Sequence, residues 1–279
     1  MPGADTFYTI GSSHRVCQDY ASHIVNEDEI AARLSDGCST APETDWGARV
    51  LVRTAEINQD RNLLAEALAE DASCSCKWLH LSDECLSATL LEAKVYDDRL
   101  SASIIGDGVI VARYRGINSF VVSVSEFPSG APFYPRYLLP DRDESGRTPL
   151  ERYVETYGSR WKFTEHFWDS FSHKLSVFNA KNCTVGVDFP AMINRFPREN
   201  FDLVAIFSDG LHSFTRPVVT GTSRTREPVP IEEVLAELLA FKTYTGDFIA
   251  RRCQAAFKKF RSLGWEHYDD FSMGAIYAP

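Results

Sequence analysis

A chain of 279 residues with a formal net charge of -10 and 44 % hydrophobic residues has ample material for a core and lacks the basic stripes of a nucleic-acid or membrane-surface binder. No stretch approaches the roughly 18 consecutive apolar residues that a membrane helix needs, and Met1 to Tyr20 lacks a basic start followed by an apolar run, so a cytoplasmic protein with neither nucleic-acid nor membrane partners is expected. Its seven cysteines are odd in number and irregularly spaced, which argues for reduced thiols over a disulfide framework; Cys74-x-Cys76 has no second pair at zinc-ligand spacing.

Phe7 to Ile10 alternates weakly before Gly11-Ser12-Ser13, predicting a first strand that ends in a turn. Ala21 to Val25 and Ile30 to Ser35 flank the polar turn Asn26 to Glu29, and Ile30, Ala32 and Leu34 share a face at period two. This reads as a hairpin that delivers Asp36. Thr44 suits the N-cap of a long helix in which Val50, Leu51, Thr54, Ile57, Leu63, Leu64, Ala67 and Leu68 recur at helical spacing. From Leu86 to Val124 the pattern becomes about four antiparallel strands, punctuated by Asp97-Asp98, Gly106-Asp107-Gly108 and Gly116-Ile117-Asn118.

Glu126 to Pro149 is proline-rich and reads as a surface connector, whereas Arg152 to Phe178 is aromatic-rich and ambiguous. Cys183 to Phe189 alternates, and Phe201 to Phe207 is a mostly apolar run of the kind found in buried strands. Thr215 to Pro230 reads as a polar loop, Ile231 to Phe260 as two helical stretches, and Phe271 to Tyr277 as the last strand. No repeat, low-complexity tract or linker divides the chain, so one domain over residues 1–279 is expected, with an insertion near 126–180. Strands in the middle and helices in groups predict α+β layering with antiparallel sheets.

Four acidic sites lie at the edges of predicted strands: Asp36-Gly37, Gly106-Asp107, Asp209-Gly210 and Asp269-Asp270. Asp-Gly pairs commonly mark hairpin turns, but four lone carboxylates cannot all be buried without cations. Hard oxygens without nearby His or Cys favour Mg²⁺ or Mn²⁺ over zinc, and two such ions bridged by an aspartate are suited to activating water against phosphorus.

Taken with Gln18-Asp19, the segments Ser35-Asp36-Gly37, Gly106-Asp107, Phe207-Ser208-Asp209-Gly210-Leu211 and Asp269-Asp270-Phe271-Ser272 resemble, in order and spacing, the motifs of the metal-dependent protein phosphatases (the PPM or type 2C serine/threonine phosphatases). The resemblance is to a divergent bacterial-type member, runs from about Tyr8 to Tyr277 and is weakest between Glu126 and Cys183. It implies two packed antiparallel sheets with helices on both outer faces, an αββα sandwich. It also implies hydrolysis of phosphoserine and phosphothreonine in a phosphorylated protein substrate through a metal-bridging hydroxide, without a phosphoenzyme. In this likeness Asp36 bridges two Mn²⁺ or Mg²⁺ ions with the Gly37 carbonyl on the second. Asp209 and Asp269 complete the first, Asp19 holds metal-bound water, and Asp107 with Asp209 holds a weaker third ion.

Three positions depart from the family pattern. Gln18 stands where a glutamate is usual and offers a neutral oxygen to the second ion. Cys38 replaces a histidine proposed as general acid in eukaryotic members. The family's phosphate-binding arginine aligns with His14, one residue before Arg15; a guanidinium holds phosphate bidentately at any pH, which favours Arg15 and leaves His14 as the alternative. Gln18 and Cys38 also favour a second reading, a catalytically weak or inactive scaffold that binds a partner protein. Among other residues, His212 and His267 lie close to the aspartates in sequence. Trp161, Phe163, Phe167, Trp168 and Phe171 could line a groove but are commoner in cores. Arg224, Arg226, Arg251 and Arg252 read as surface charges, and Cys17 as an inert thiol unless its pKa is lowered.

Overall fold

The strand Phe201–Phe207 is buried along its whole length. Leu203, Ala205 and Phe207 belong to one apolar cluster and Val204 and Ile206 to another, so alternate side chains face two different layers. A computed structural model describes residues 2–58, 65–169, 174–185, 191–220 and 223–279. In chain order its elements are β1 (Gly3–Thr9), β2 (Tyr20–Val25), β3 (Ile30–Ser35), α1 (Thr44–Ile57), α2 (Ala65–Trp78), β4 (Leu90–Val95), β5 (Arg99–Ile105), β6 (Gly108–Tyr114), β7 (Ser119–Glu126) and α3 (Pro149–Tyr157). There follow β8 (Arg160–Asp169), β9 (Lys174–Thr184), β10 (Ala191–Pro197), β11 (Phe201–Phe207), β12 (Phe214–Thr220), β13 (Ser223–Pro228), α4 (Ile231–Leu238), α5 (Phe248–Ser262), β14 (Glu266–His267) and β15 (Phe271–Tyr277).

Twelve of the described strands form a seven-stranded sheet, β1-β15-β11-β6-β7-β8-β9, and a five-stranded sheet, β10-β5-β4-β3-β2, with antiparallel pairing throughout. Between them lie Leu34, Leu91, Ile104, Ile110, Val204, Ile206 and Ile276. Helices α4 and α5 cover the outer face of the larger sheet, and α1 and α2 pack on residues of the smaller one. This is the expected α+β sandwich, helices outside and two antiparallel sheets within.

Several local expectations need correction. The long helix is two, α1 and α2, and Leu63 and Leu64 lie outside the described residues. Glu43, not Thr44, is the residue before α1; it has φ 56 and makes no side-chain cap, while the Thr44 hydroxyl donates to the Cys38 carbonyl at 3.1 Å. Ile57, expected on the buried face, is 82 % exposed at the end of α1.

The four strands from Leu90 to Glu126 do not form one meander: β4 and β5 join the smaller sheet and β6 and β7 the larger, so Gly106-Asp107 is a crossing between layers. The connector after Glu126 buries Phe133, Tyr134 and Leu139. The expected loop after Thr215 is the hairpin β12-β13, which joins β14 in a small sheet. Its polarity hid it, because Arg216 pairs with Glu227 and Glu233 and Arg226 donates to Thr215 and Gly264 across exposed surface. Cys76 is buried with its sulfur 3.2 Å from Cys85, whereas Cys74 is exposed. The two residues of Cys74-x-Cys76 therefore do not form a joint site. Trp161, Phe163 and Trp168 are core, Phe167 is exposed, and Phe171 lies outside the described residues. No described helix is long and apolar enough to cross a membrane.

The N-terminus of α5 is held from a distance. Asp247, the residue before it, makes no side-chain cap, and the orphan amides of Ile249 and Ala250 donate instead to Asp5 of β1 at 2.6 and 3.0 Å. Asp5→Ala removes both bonds in a buried place and is expected to cost roughly 1–2 kcal/mol of stability, as a lost cap does. Urea denaturation measures it, and a midpoint equal to wild type would contradict this role.

Candidate functional site

Each aspartate sits where a strand leaves or enters the sandwich at one end. Phe207 pairs with Val109 and Met273, so Asp209 after β11 lies beside Asp107 before β6 and Asp269-Asp270 before β15. Thr9 pairs with Phe271, which brings the β1-β2 link to the same end. Tyr20 pairs with Ser35, placing Asp19 next to Asp36. Backbone bonds between Thr89 and Asp36 and between Cys38 and Ser87 fix the Asp36-Gly37-Cys38 turn on the next strand. The structure thus gathers Asp19, Asp36, Gly37, Asp107, Asp209 and Asp269 from five distant segments.

The gathered charge is largely uncompensated. Asp19 is fully buried, and neither of its carboxylate oxygens has a hydrogen-bond partner among the described residues; nor has the buried Ser272 hydroxyl. Burial pushes the Asp19 carboxyl up to about 7, with Asp36, Ser272 and Ser208 opposing the rise and the charge of Asp209 adding to it. Asp36 is held well above the ordinary carboxylate range by burial and then by Asp19 and Asp209. Burial and Asp209 do the same to Asp107. Asp269 is raised by burial and Asp209, with His14 in opposition. Among the described residues no Lys or Arg pairs with Asp19, Asp36, Asp107, Asp209 or Asp269.

His14 is the one basic group paired within the cluster among those residues. Its Nε2 lies 3.5 Å from Asp269 and its Nδ1 3.0 Å from Asp270. Burial lowers its pKa, but Asp270, Asp269 and Asp19 together hold it above the usual imidazole value. Arg15 is exposed and forms no described ion pair or hydrogen bond with the cluster.

Asp270 had no separate role in the sequence, although it stands beside Asp269. It is buried; one oxygen accepts from the Gly11 amide at 2.7 Å and the other from the Gln18 amide at 2.6 Å. Both ends of the link that carries His14, Arg15, Gln18 and Asp19 are therefore strapped to the start of β15. Two glycines permit the approach. A Cβ on Gly11 would lie 2.2 Å from the Asp269 carbonyl carbon, and one on Gly210 would lie 1.8 Å from the Asp270 carbonyl oxygen. The Gln18 amide nitrogen donates to the Thr44 hydroxyl at 2.7 Å.

Sequence reasoning also missed Tyr134, from the proline-rich connector. Burial and the neighbouring Cys38 and Asp107 push its hydroxyl up. Cys38 is held below the ordinary thiol value by Thr40, Tyr134 and the Ala41 amide, against its burial. Burial pushes the Cys17 thiol up to about 12, which makes it unreactive. His212 is exposed beside Asp209, and His267 bonds the Ile10 carbonyl.

The donor set fits a hard divalent cation in its chemistry: oxygen ligands, raised carboxyl pKa values and an orphaned buried carboxylate all call for positive charge. As the side chains stand, no group of three or more His, Cys, Asp or Glu among the described residues is arranged to hold an ion.

The family described as Protein phosphatase 2C matches residues 10–241 of the chain. No curated protein matches it. Among solved structures it is similar to the S. agalactiae serine/threonine phosphatase, at 14% identity with a TM-score of 0.53 and 100% of both chains covered. It is also similar to a serine/threonine phosphatase from Staphylococcus aureus, at 13% identity and a TM-score of 0.51, covering 100% of this chain and 96% of that one. A bacterial serine phosphatase variant gives 13% identity, a TM-score of 0.51 and coverage of 99% and 97%. At such identities the likeness shows a shared fold.

The buried carboxylate makes a signed prediction. Between the ordinary Asp pKa of ~3.9 and about 7, the folded chain keeps a proton at Asp19 that the unfolded chain releases. Its contribution is fully present below the lower value and is lost as pH rises through the upper one. In EDTA, Asp19→Asn is expected to raise Tm by several degrees near pH 8 and to change it little near pH 5, read by calorimetry. Equal melting of both proteins near pH 8 would mean that the charge of Asp19 is already compensated.

Proposed function

Since the chain belongs to the protein phosphatase 2C family, we propose that it is a phosphomonoester hydrolase that removes phosphate from phosphoserine and phosphothreonine in proteins, with Mn²⁺ or Mg²⁺ held by the acidic cluster. The observation that carries this reading is the convergence of Asp19, Asp36, Asp107, Asp209 and Asp269 with no Lys or Arg partner among the described residues. Two ions, when bound, would lower the pKa of attacking water and neutralise charge on the phosphoryl oxygens. Asp36, the Gly37 carbonyl, Asp209 and Asp269 would hold them, with Gln18 on the second, Asp19 on metal-bound water and Asp107 with Asp209 for a weaker third.

The chain's own groups supply position and charge. Asp270 holds the 11–18 link by accepting hydrogen bonds from the Gly11 and Gln18 amides, which keeps Gln18 and Asp19 at the cluster. His14 is engaged with Asp269 and Asp270 and orients the former. Arg15, one residue on and exposed, is free to meet the substrate phosphate with its guanidinium fork.

A second reading, a weak or inactive scaffold that binds a partner, is favoured by Gln18, whose side-chain amide is tied to Thr44. Hydrolysis of an aryl phosphate separates the two. Changes to groups that merely orient a metal's ligands cost roughly 10–100-fold, so Asp209→Asn is expected to lower Mn²⁺-stimulated kcat by at least about that factor, and EDTA to abolish turnover. No Mn²⁺-stimulated turnover in the wild type, or a fully active variant, would favour the scaffold.

The roles of the two basic residues separate in the same assay. Arg15→Ala is expected to raise KM with little change in kcat, the mark of lost ground-state binding. His14→Ala is expected to lower kcat by loosening Asp269. An unchanged KM in Arg15→Ala would assign the phosphate contact elsewhere.

A further inference from the structure

Beside Asp107 and Asp209 the cluster opens into a cavity of about 460 Å³. Its volume lies in the lower part of the usual range for ligand clefts, roughly 300–1,000 Å³. Val124, Phe127 and Pro128 make its apolar side, while Glu126, Lys162 and His212 line its polar side. Phe127 stacks on Trp161 with ring centroids 5.9 Å apart and planes 12° from parallel. Trp161 is buried, so the apolar side is backed by the core and formed in advance.

The charge there is balanced. Glu126 and Lys162 are register partners across β7 and β8, with nitrogen and oxygen 4.0 Å apart, and both are about half exposed. Each screens the other, so this side offers little net attraction to an anionic or a cationic side chain. What remains is apolar area opening directly onto two of the aspartates proposed to hold metal.

We propose that this cavity is the subsite for a bulky apolar side chain next to the phosphorylated residue of a protein substrate, with Phe127 as its contact surface. The proposal rests on the phosphatase reading for the identity of the group at the aspartates. A leucine or phenylalanine side chain fits within a space of this size, and its transfer from water into apolar surroundings is worth on the order of tenfold or more in affinity. Asp or Lys at the same substrate position would be desolvated without a free partner.

The test uses fluorescein-labelled phosphoserine peptides that differ only in the residue on one or the other side of the phosphoserine: Leu, Phe, Ala, Asp or Lys. Phosphate release is measured with the Mn²⁺-loaded protein, and binding by anisotropy with Asp36→Asn. On one side of the phosphoserine, Leu and Phe are expected to exceed Ala and Asp by about tenfold or more in kcat/KM, through KM, and in 1/Kd. Phe127→Ala should reduce that preference to within about threefold, whereas the conservative Phe127→Leu keeps most of it, which separates a lost contact from a lost fold. Equal binding of all peptides, a preference undiminished in Phe127→Ala, or a preference for Asp that Lys162→Ala removes would each overturn the subsite. If neither peptides nor an aryl phosphate are hydrolysed, the catalytic reading fails and the order of binding still decides the subsite.

Discussion

Asp19 is withdrawn from water with neither carboxylate oxygen hydrogen-bonded, and Asp36, Asp107 and Asp209 press on the same region. Desolvating one carboxylate costs several kcal/mol even after relaxation, more than a typical hydrogen bond of about 1 kcal/mol returns. Hydrogen bonds around this end of the sandwich hold its segments together against that repulsion. Asp270 accepts from the amides of Gly11 and Gln18, the Ser208 amide donates to the Ser272 carbonyl and the Ser272 amide to the Ser208 hydroxyl, and Thr89 holds both sides of the Asp36 peptide. The strands contribute the other half of the constraint. β11 and β15 are buried on both faces nearly to their ends, so the cluster's aspartates stand where the chain leaves the layers, while Asp202 inside β11 is paired with Arg113.

That rule made much of the site legible. Mostly apolar runs predicted β11 and β15, and period-two spacing predicted β3, at their observed limits, although each carries a buried polar residue, Asp202, Ser272 and Arg33. Acidic pairs marked the ends, Asp-Gly after β3 and β11 and Asp269-Asp270 before β15. Long-range partners left no comparable trace. The bonds of Asp270 to Gly11 and Gln18 join residues more than 250 positions apart, and Asp5 reaches the start of α5 from the other terminus. Nothing local distinguishes such an aspartate from a solvated one. The β12-β13 hairpin was hidden for the opposite reason: its exposed faces carry ion pairs in place of an apolar stripe, so no period-two hydrophobic pattern announces it. The proline-rich connector misled because prolines mark irregular backbone, not exposure, and Phe133 and Tyr134 are buried inside it.

The two flanks of the cluster are consequently built on different principles. On the flank of Asp19 and Gln18, position is set by main-chain amides bonded to one buried carboxylate, and the glycines at 11 and 210 are there because any side chain would strike the Asp269-Asp270 backbone. On the flank of Asp107, Gly106 and Gly108 have φ of 103 and 138 at the crossing between sheets, and the Ser125 hydroxyl bonds the Gly106 carbonyl at 2.8 Å. Residues 126–162 lie beside this turn, with the Phe133 carbonyl near Gly106. The same segment supplies Glu126, Phe127, Pro128 and Lys162 to the cavity wall. Exchanging those side chains would change what the cavity accepts while the backbone that presents Asp107 and Asp209 stays where the sheet register puts it, which is the separation that lets a charged cluster stay fixed while the surface beside it varies.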